Sequence, residues 1–301
     1  LGITQAGRIQ FALEGGRINA DFIDNSAGVD CSDNEVNIKI ALAAAKRNGD
    51  LTEQRRVNLL EKMTDEVAEI VLDDNRLQAL ALSIAERGGA QATGSYVRLV
   101  EALEDRGYLD RRTEGIADGA SLVRRANDGQ GLMRPELAVL LSSSKLVLQD
   151  AIEGSPLPED PALERELFAA FPEPMRKKFK GEIEGHRLRR ELIATKLSNL
   201  IINRMGVSHP FELVEEEGVT LAQVASAFVA ADRLFDLPAL FERIEETPMD
   251  EKARLELFDR VAWAIRTHIA DLLRSGGGDC HPSELVKKLS PGITKLDKAK
   301  Q

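Results

Sequence analysis

From about residue 33 onward, apolar residues return every three to four positions, a spacing that predicts helices packed through one face. Val36, Ile40 and Ala44 mark one side of the first helix, and Ile38, Leu42 and Ala45 mark another, so that helix should be largely buried. Gly49 ends it, and Thr52 is placed to cap the next, whose stripe is Leu60, Met63, Val67, Ile70 and Val71. A third helix, with Leu77, Leu80, Ala81 and Ile84, stops near Gly88-Gly89. Val97, Val100 and Leu103 belong to a fourth, ended by Gly107. Glycine closes helices because it takes the left-handed conformation without steric cost.

Residues 108–133 are less regular, with one short helix around Leu122 to Ala126. Pro135 suits the first position of a helix, and Leu137, Leu140, Leu141 and Leu148 follow as far as Gly154. Three prolines in residues 155–161 predict a linker or a sharp corner, the best candidate for an internal boundary. Two short helices separated by Pro172 and Pro174 come next. Then a helix runs from Arg187 to Met205, with Ile193, Leu197, Leu200 and Ile201 inward, stopped by Gly206. Thr220 opens another, Pro238 a short one, and Thr247-Pro248 a long one carrying Leu255, Phe258, Val261, Ile265 and Ile269. Ser275 to Gly278 breaks it, and Pro282 starts a last short helix before a Lys-rich tail.

Residues 1–30 differ. Residues 8–13 and 17–20 read as short β pieces around a Gly15-Gly16 turn. The expected architecture is therefore mainly α. A short α/β remnant at residues 1–33 precedes a multi-helix domain at residues 34–301, with a sub-boundary at 155–161.

Composition agrees with this. Aromatics are only 4% of the 301 residues, so aliphatic side chains must fill the core, which suits helices better than sheets. A net charge of −10 argues against nucleic acid as the main partner, because a binding site there needs a basic stripe. No apolar run approaches the ~20 residues of a membrane helix. Two distant cysteines, Cys31 and Cys280, make no disulfide scaffold, so a reducing cytoplasm is expected. The chain opens at Leu1 without a signal pattern, as a piece of a longer protein or a processed start would.

The informative stretch is Gly16-Arg17-Ile18-Asn19-Ala20-Asp21-Phe22-Ile23-Asp24-Asn25-Ser26-Ala27-Gly28-Val29-Asp30-Cys31-Ser32-Asp33-Asn34-Glu35-Val36-Asn37. It reads as a strand, a polar loop and a helix start, the place where open α/β sheets hold ligands. Asn25 can donate and accept through one amide, matching a carboxamide. Gly28 lets a backbone approach closely. Ser32 at a helix start would favour an anion such as a carboxylate. Ser32 to Glu35 also fits a capping box, and the two readings are compatible.

This stretch resembles the large, NAD-specific bacterial glutamate dehydrogenases. The likeness continues through Arg134-Pro135-Glu136-Leu137-Ala138-Val139, Phe168 to Pro174, and Leu188 to Gly206. Asn25 to Val29, with Ser32, is also similar to the Asn-Ala-Gly-Gly-Val…Ser segment of ordinary glutamate dehydrogenases, Ala27 replacing the first glycine. The resemblance implies NAD-linked oxidative deamination of L-glutamate to 2-oxoglutarate and ammonium by a homo-oligomer. It makes Asn25 and Gly28 cofactor contacts and Ser32 a substrate contact. The family's catalytic Lys and Asp and its Gly-rich dinucleotide fingerprint have no counterpart here, so the chain alone should be inactive, an edge of an active site joined to the rest of the same polypeptide. The competing expectation is a non-catalytic helical scaffold or regulatory module.

Other motifs carry less. Ser142 to Lys145 contains S-x-x-K and Ser32-Asp33-Asn34 is S-D-N, but their order is reversed relative to serine β-lactamases and K-T-G is missing. Cys280, His281 and His268 lack metal-type spacing. His186 and His209 are expected at the surface or at helix ends. The basic cluster from Arg176 to Arg190 reads as a solvated face or a dock for an acidic neighbour. Trp263 reads as core packing or an interdomain contact.

Overall fold

The computed structural model describes residues 2–276 and 281–300. Sixteen α-helices and three short 3-10 turns account for its elements, with no strand among the described residues. The mainly α expectation holds and the α/β remnant does not. Residues 8–13 lie in α1 (Gln5–Leu13), where the Thr4 hydroxyl caps the first turn from 3.1 Å. Ile9, Phe11 and Leu13 alternate like a strand. Ile9 and Leu13 are also one helical turn apart, and burial of Arg8 and Ile9 selects the helix. Residues 17–20 belong to no helix and form no strand, although Ala20 is extended.

After α2 (Asp21–Asp24) and α3 (Ser26–Asn48), α4 runs unbroken from Glu53 to Arg87. The two helices expected there are one, because no glycine or proline interrupts them. Thr52 caps α4, and Gly49 closes α3 in the left-handed region at φ 84°. Next come α5 (Thr93–Asp105), α6 (Gly119–Asn127) and α7 (Arg134–Glu153). The prolines at 155–161 make a sharp corner of two 3-10 turns with Leu157 and Leu163 buried. Three short helices follow: α8 (Glu164–Ala169), α9 (Glu173–Lys178) and α10 (Lys180–Glu184).

The centre is α7 packed along α11 (Arg189–Met205). Leu137, Leu140, Leu141 and Leu148 of α7 and Ile193, Leu197 and Ile201 of α11 are fully buried. Each such leucine contributes about 1.5–3 kcal/mol through burial. Around this pair lie α12 (His209–Glu217), α13 (Leu221–Phe235), α14 (Leu237–Glu246), α15 (Glu251–Arg274) and α16 (Pro282–Lys300). The Lys-rich tail is thus helical. Asp250, not Thr247, caps α15; Thr247 instead ends α14, its hydroxyl donating to the Arg243 carbonyl. No described helix is long and apolar enough to cross a membrane.

Candidate functional site

The segment around Asn25 is helix, turn, helix rather than strand, loop, helix. Helix α3 begins at Ser26, six residues before the expected start, so Ser32 stands in its second turn. The capping box at Ser32 to Glu35 therefore does not form, and Glu35 pairs with Lys39 one turn on. Local sequence suggested the later start. Packing decides for the earlier one, with Ala20 and Ile23 buried beneath the junction.

Burial also fixes the rotation of α3. Ile38, Ala41, Leu42 and Ala45 face the core. Asn25, Gly28, Val29, Ser32 and Val36, spaced by three and four residues, are all exposed. The three residues singled out for their chemistry thus share one strip. Seven residues of helical rise separate Asn25 from Ser32, about 10 Å along the axis. Asn25 precedes the first turn, and its side chain makes no capping bond. Its amide is free to meet a carboxamide with one donor and one acceptor. A Cβ at residue 28 would stand 3.1 Å from Asn25 Oδ1, so glycine there leaves the amide its space. Free N–H groups of the first turn add a weak positive field. These features fit a carboxamide at Asn25. Ser32, in the second turn, lies beyond the free N–H groups, so the anion site expected of a helix start does not form there and its hydroxyl alone is offered.

The junction is held from below. Arg8, nearly fully buried, donates to the Asn19 carbonyl at 2.8 Å and pairs with Asp21. Arg134 Nε donates to Asn19 Oδ1 at 2.8 Å, and Asn19 Nδ2 donates to Asp24 at 2.8 Å. Arg134 also reaches Ser83 and Glu86, each at 3.1 Å, so α7 and α4 both grip the segment. Sequence reading missed Arg8 and Asn19, because their partners lie on other elements. Behind the strip, burial raises the Asp30 carboxyl to about 6, with Asp74 and Asp33 adding and Lys196 opposing. Asn34 Nδ2 donates to Asp30 Oδ1 at 3.0 Å, and Lys196 pairs with Asp74 at 2.8 Å.

The other candidates fall elsewhere. Ser143, Ser144 and Lys145 are buried in α7. His186 is buried rather than at the surface, its Nε2 3.1 Å from the Asn37 carbonyl. Cys280 lies outside the described residues, and no group of three metal-ligating side chains occurs among those described. Most of the basic cluster is paired locally, Lys180 with Glu164 and Glu184 and both Arg189 and Arg190 with Glu159. Trp263 is not a core residue. Half exposed, it lines a cavity of about 370 Å³ beside His209, Tyr96 and Asp259.

Comparison with known proteins covers both ends of the chain. A family model described as "Glutamate dehydrogenase, C-terminal" matches residues 129–301. One described as "Bacterial NAD-glutamate dehydrogenase, catalytic domain" matches residues 1–85. Three similar proteins are each named NAD-specific glutamate dehydrogenase. That of Pseudomonas aeruginosa is 41% identical over 298 residues, covering 98% of this chain and 18% of its own length. That of Halomonas elongata is 43% identical over 245 residues, with shares of 81% and 15%. That of Mycobacterium tuberculosis is 34% identical over 301 residues, with shares of 98% and 18%. The chain thus spans less than a fifth of the length of the curated relatives it matches.

Proposed function

The chain belongs to the glutamate dehydrogenase C-terminal family, and from that premise we propose that its α3 strip closes one edge of an NAD-dependent glutamate dehydrogenase active site. The reaction is L-glutamate, NAD+ and water to 2-oxoglutarate, ammonium, NADH and a proton. The bound nicotinamide accepts the hydride from the substrate α-carbon. In this reading residues 1–33 complete the catalytic domain and residues 34–301 support it, in a cytoplasmic homo-oligomer. Asn25 pairs with the nicotinamide carboxamide, and Gly28 gives that amide room. The Ser32 hydroxyl donates to a substrate carboxylate. The chain orients the reactants and supplies no proton-transfer group, so by itself it forms no NADH.

The observation that carries this reading is the shared exposed strip of Asn25, Gly28 and Ser32, on the part of the chain that matches a catalytic-domain model. The test is glutamate-dependent NADH formation by the full-length enzyme with Ser32→Ala. A hydrogen bond to a charged group is worth about 1.5–3 kcal/mol, so kcat/KM for glutamate should fall roughly 10- to 100-fold. Cofactor binding and thermal stability should hold. Unchanged kinetics would leave Ser32 a surface hydroxyl and the chain a helical scaffold.

A further inference from the structure

Helix α4 passes behind the α2–α3 junction, and one of its side chains reaches into it. Asn75 Nδ2 donates to the Ile23 carbonyl at 3.0 Å and to the Ser26 hydroxyl at 2.7 Å. An amide nitrogen carries two N–H groups, so both are spent here. The two acceptors flank Asn25 in the chain, Ile23 before it and Ser26 after it. Asn25 has no capping bond of its own to hold its direction. The contact spans 52 and 49 positions of sequence, tying the strip to the longest helix of the fold.

We propose that Asn75 is a positioning residue for the cofactor contact: by pinning both sides of Asn25 it aims that carboxamide. The inference rests on the reading of Asn25 given above. Asn75→Asp keeps the shape but donates nothing, and it sets a carboxylate against the Ile23 carbonyl. Asn75→Ala removes the amide without adding charge and serves if the first variant does not fold. A purely structural asparagine would change melting temperature or the active fraction, not the affinity of the active molecules.

The experiment measures NADH affinity by its fluorescence in the full-length enzyme. Wild type, Asn25→Ala, Asn75→Asp and the double variant are compared, with melting temperatures alongside. Asn75→Asp should weaken NADH about three- to tenfold, the worth of a hydrogen bond. In the Asn25→Ala background the same change should cost less than about twofold, because its effect passes through Asn25. If Asn25→Ala weakens NADH but Asn75→Asp does not, or if the two losses simply add, Asn75 does not position Asn25. If Asn25→Ala itself leaves affinity unchanged, the reading of the strip fails and this inference fails with it.

Discussion

Lys145 shows how one residue can set a pH dependence from inside the core. Its side chain is buried in α7, with the amine 3.3 Å from Gln78 Oε1 and Asp74 as a compensating charge. Burial disfavours the ammonium and lowers its pKa to about 7 from 10.5. Between those values the unfolded chain holds the proton and the folded chain does not. Folding stability therefore rises with pH across that window, by at most about 1.4 kcal/mol per pH unit from this group. Lys145→Met should remove that slope and stabilise the protein most at pH 7. Urea midpoints at pH 7, 8.5 and 10 check it, and parallel curves for the two proteins would contradict it. Asp30 acts with the opposite sign lower down. Its carboxyl, raised from 3.8 to about 6, keeps a proton in the folded state that the unfolded state has lost. Its contribution therefore falls as pH rises from about 4 to 6.

At the scale of elements, caps and stops carry the agreement between sequence and structure. Thr220 and Gln223 form a reciprocal capping box at the start of α13: the Gln223 amide donates to Thr220 Oγ1 at 3.2 Å, and the Thr220 amide to Gln223 Oε1 at 2.8 Å. Thr220→Ala should cost about 1 kcal/mol and lower the melting temperature by roughly 2 °C. Calorimetry decides; no shift would mean that tertiary packing alone fixes the end of α13. Helices ending at Gly49, Gly88, Gly154 and Gly206 were readable because their signals sit within the helix ends themselves. Two misreadings share one cause. Thr247-Pro248 and Ser32 to Glu35 look like helix starts locally, but Asp250 caps α15 and buried Ile23 sets the start of α3 earlier. The candidate site was legible as chemistry and not as geometry. Residue type and the family resemblance single out Asn25, Gly28 and Ser32, while their common face exists only because the segment is helical. Asn75 was invisible because an asparagine inside a long amphipathic helix carries no local sign of a partner 52 residues away.

At the scale of the whole molecule, the apolar residues on the strip ask for a covering surface. Val29 is 63% exposed and Val36 47%, and they alternate with Asn25 and Ser32 along the same face of α3. Scattered exposed valines are ordinary, but two on one strip beside the candidate contacts fit a surface that meets further protein. The relatives named NAD-specific glutamate dehydrogenase extend far beyond the length of this chain, and residues 1–85 match a family model described as a catalytic domain. Val29→Glu separates the two situations. In the 301-residue chain it is a surface change, worth within about 0.5 kcal/mol, and glutamate is at least as good a helix former as valine. The melting temperature of that chain should hold within about 1–2 °C. In the full-length enzyme the same carboxylate would be forced into an apolar contact without a partner, at a cost of several kcal/mol. Glutamate-dependent NADH formation should then fall by roughly tenfold or more, while Val29→Leu keeps most of it. Equal tolerance of glutamate in both settings would mean that the strip faces water in the enzyme, and with it the proposed active-site edge would lose its place.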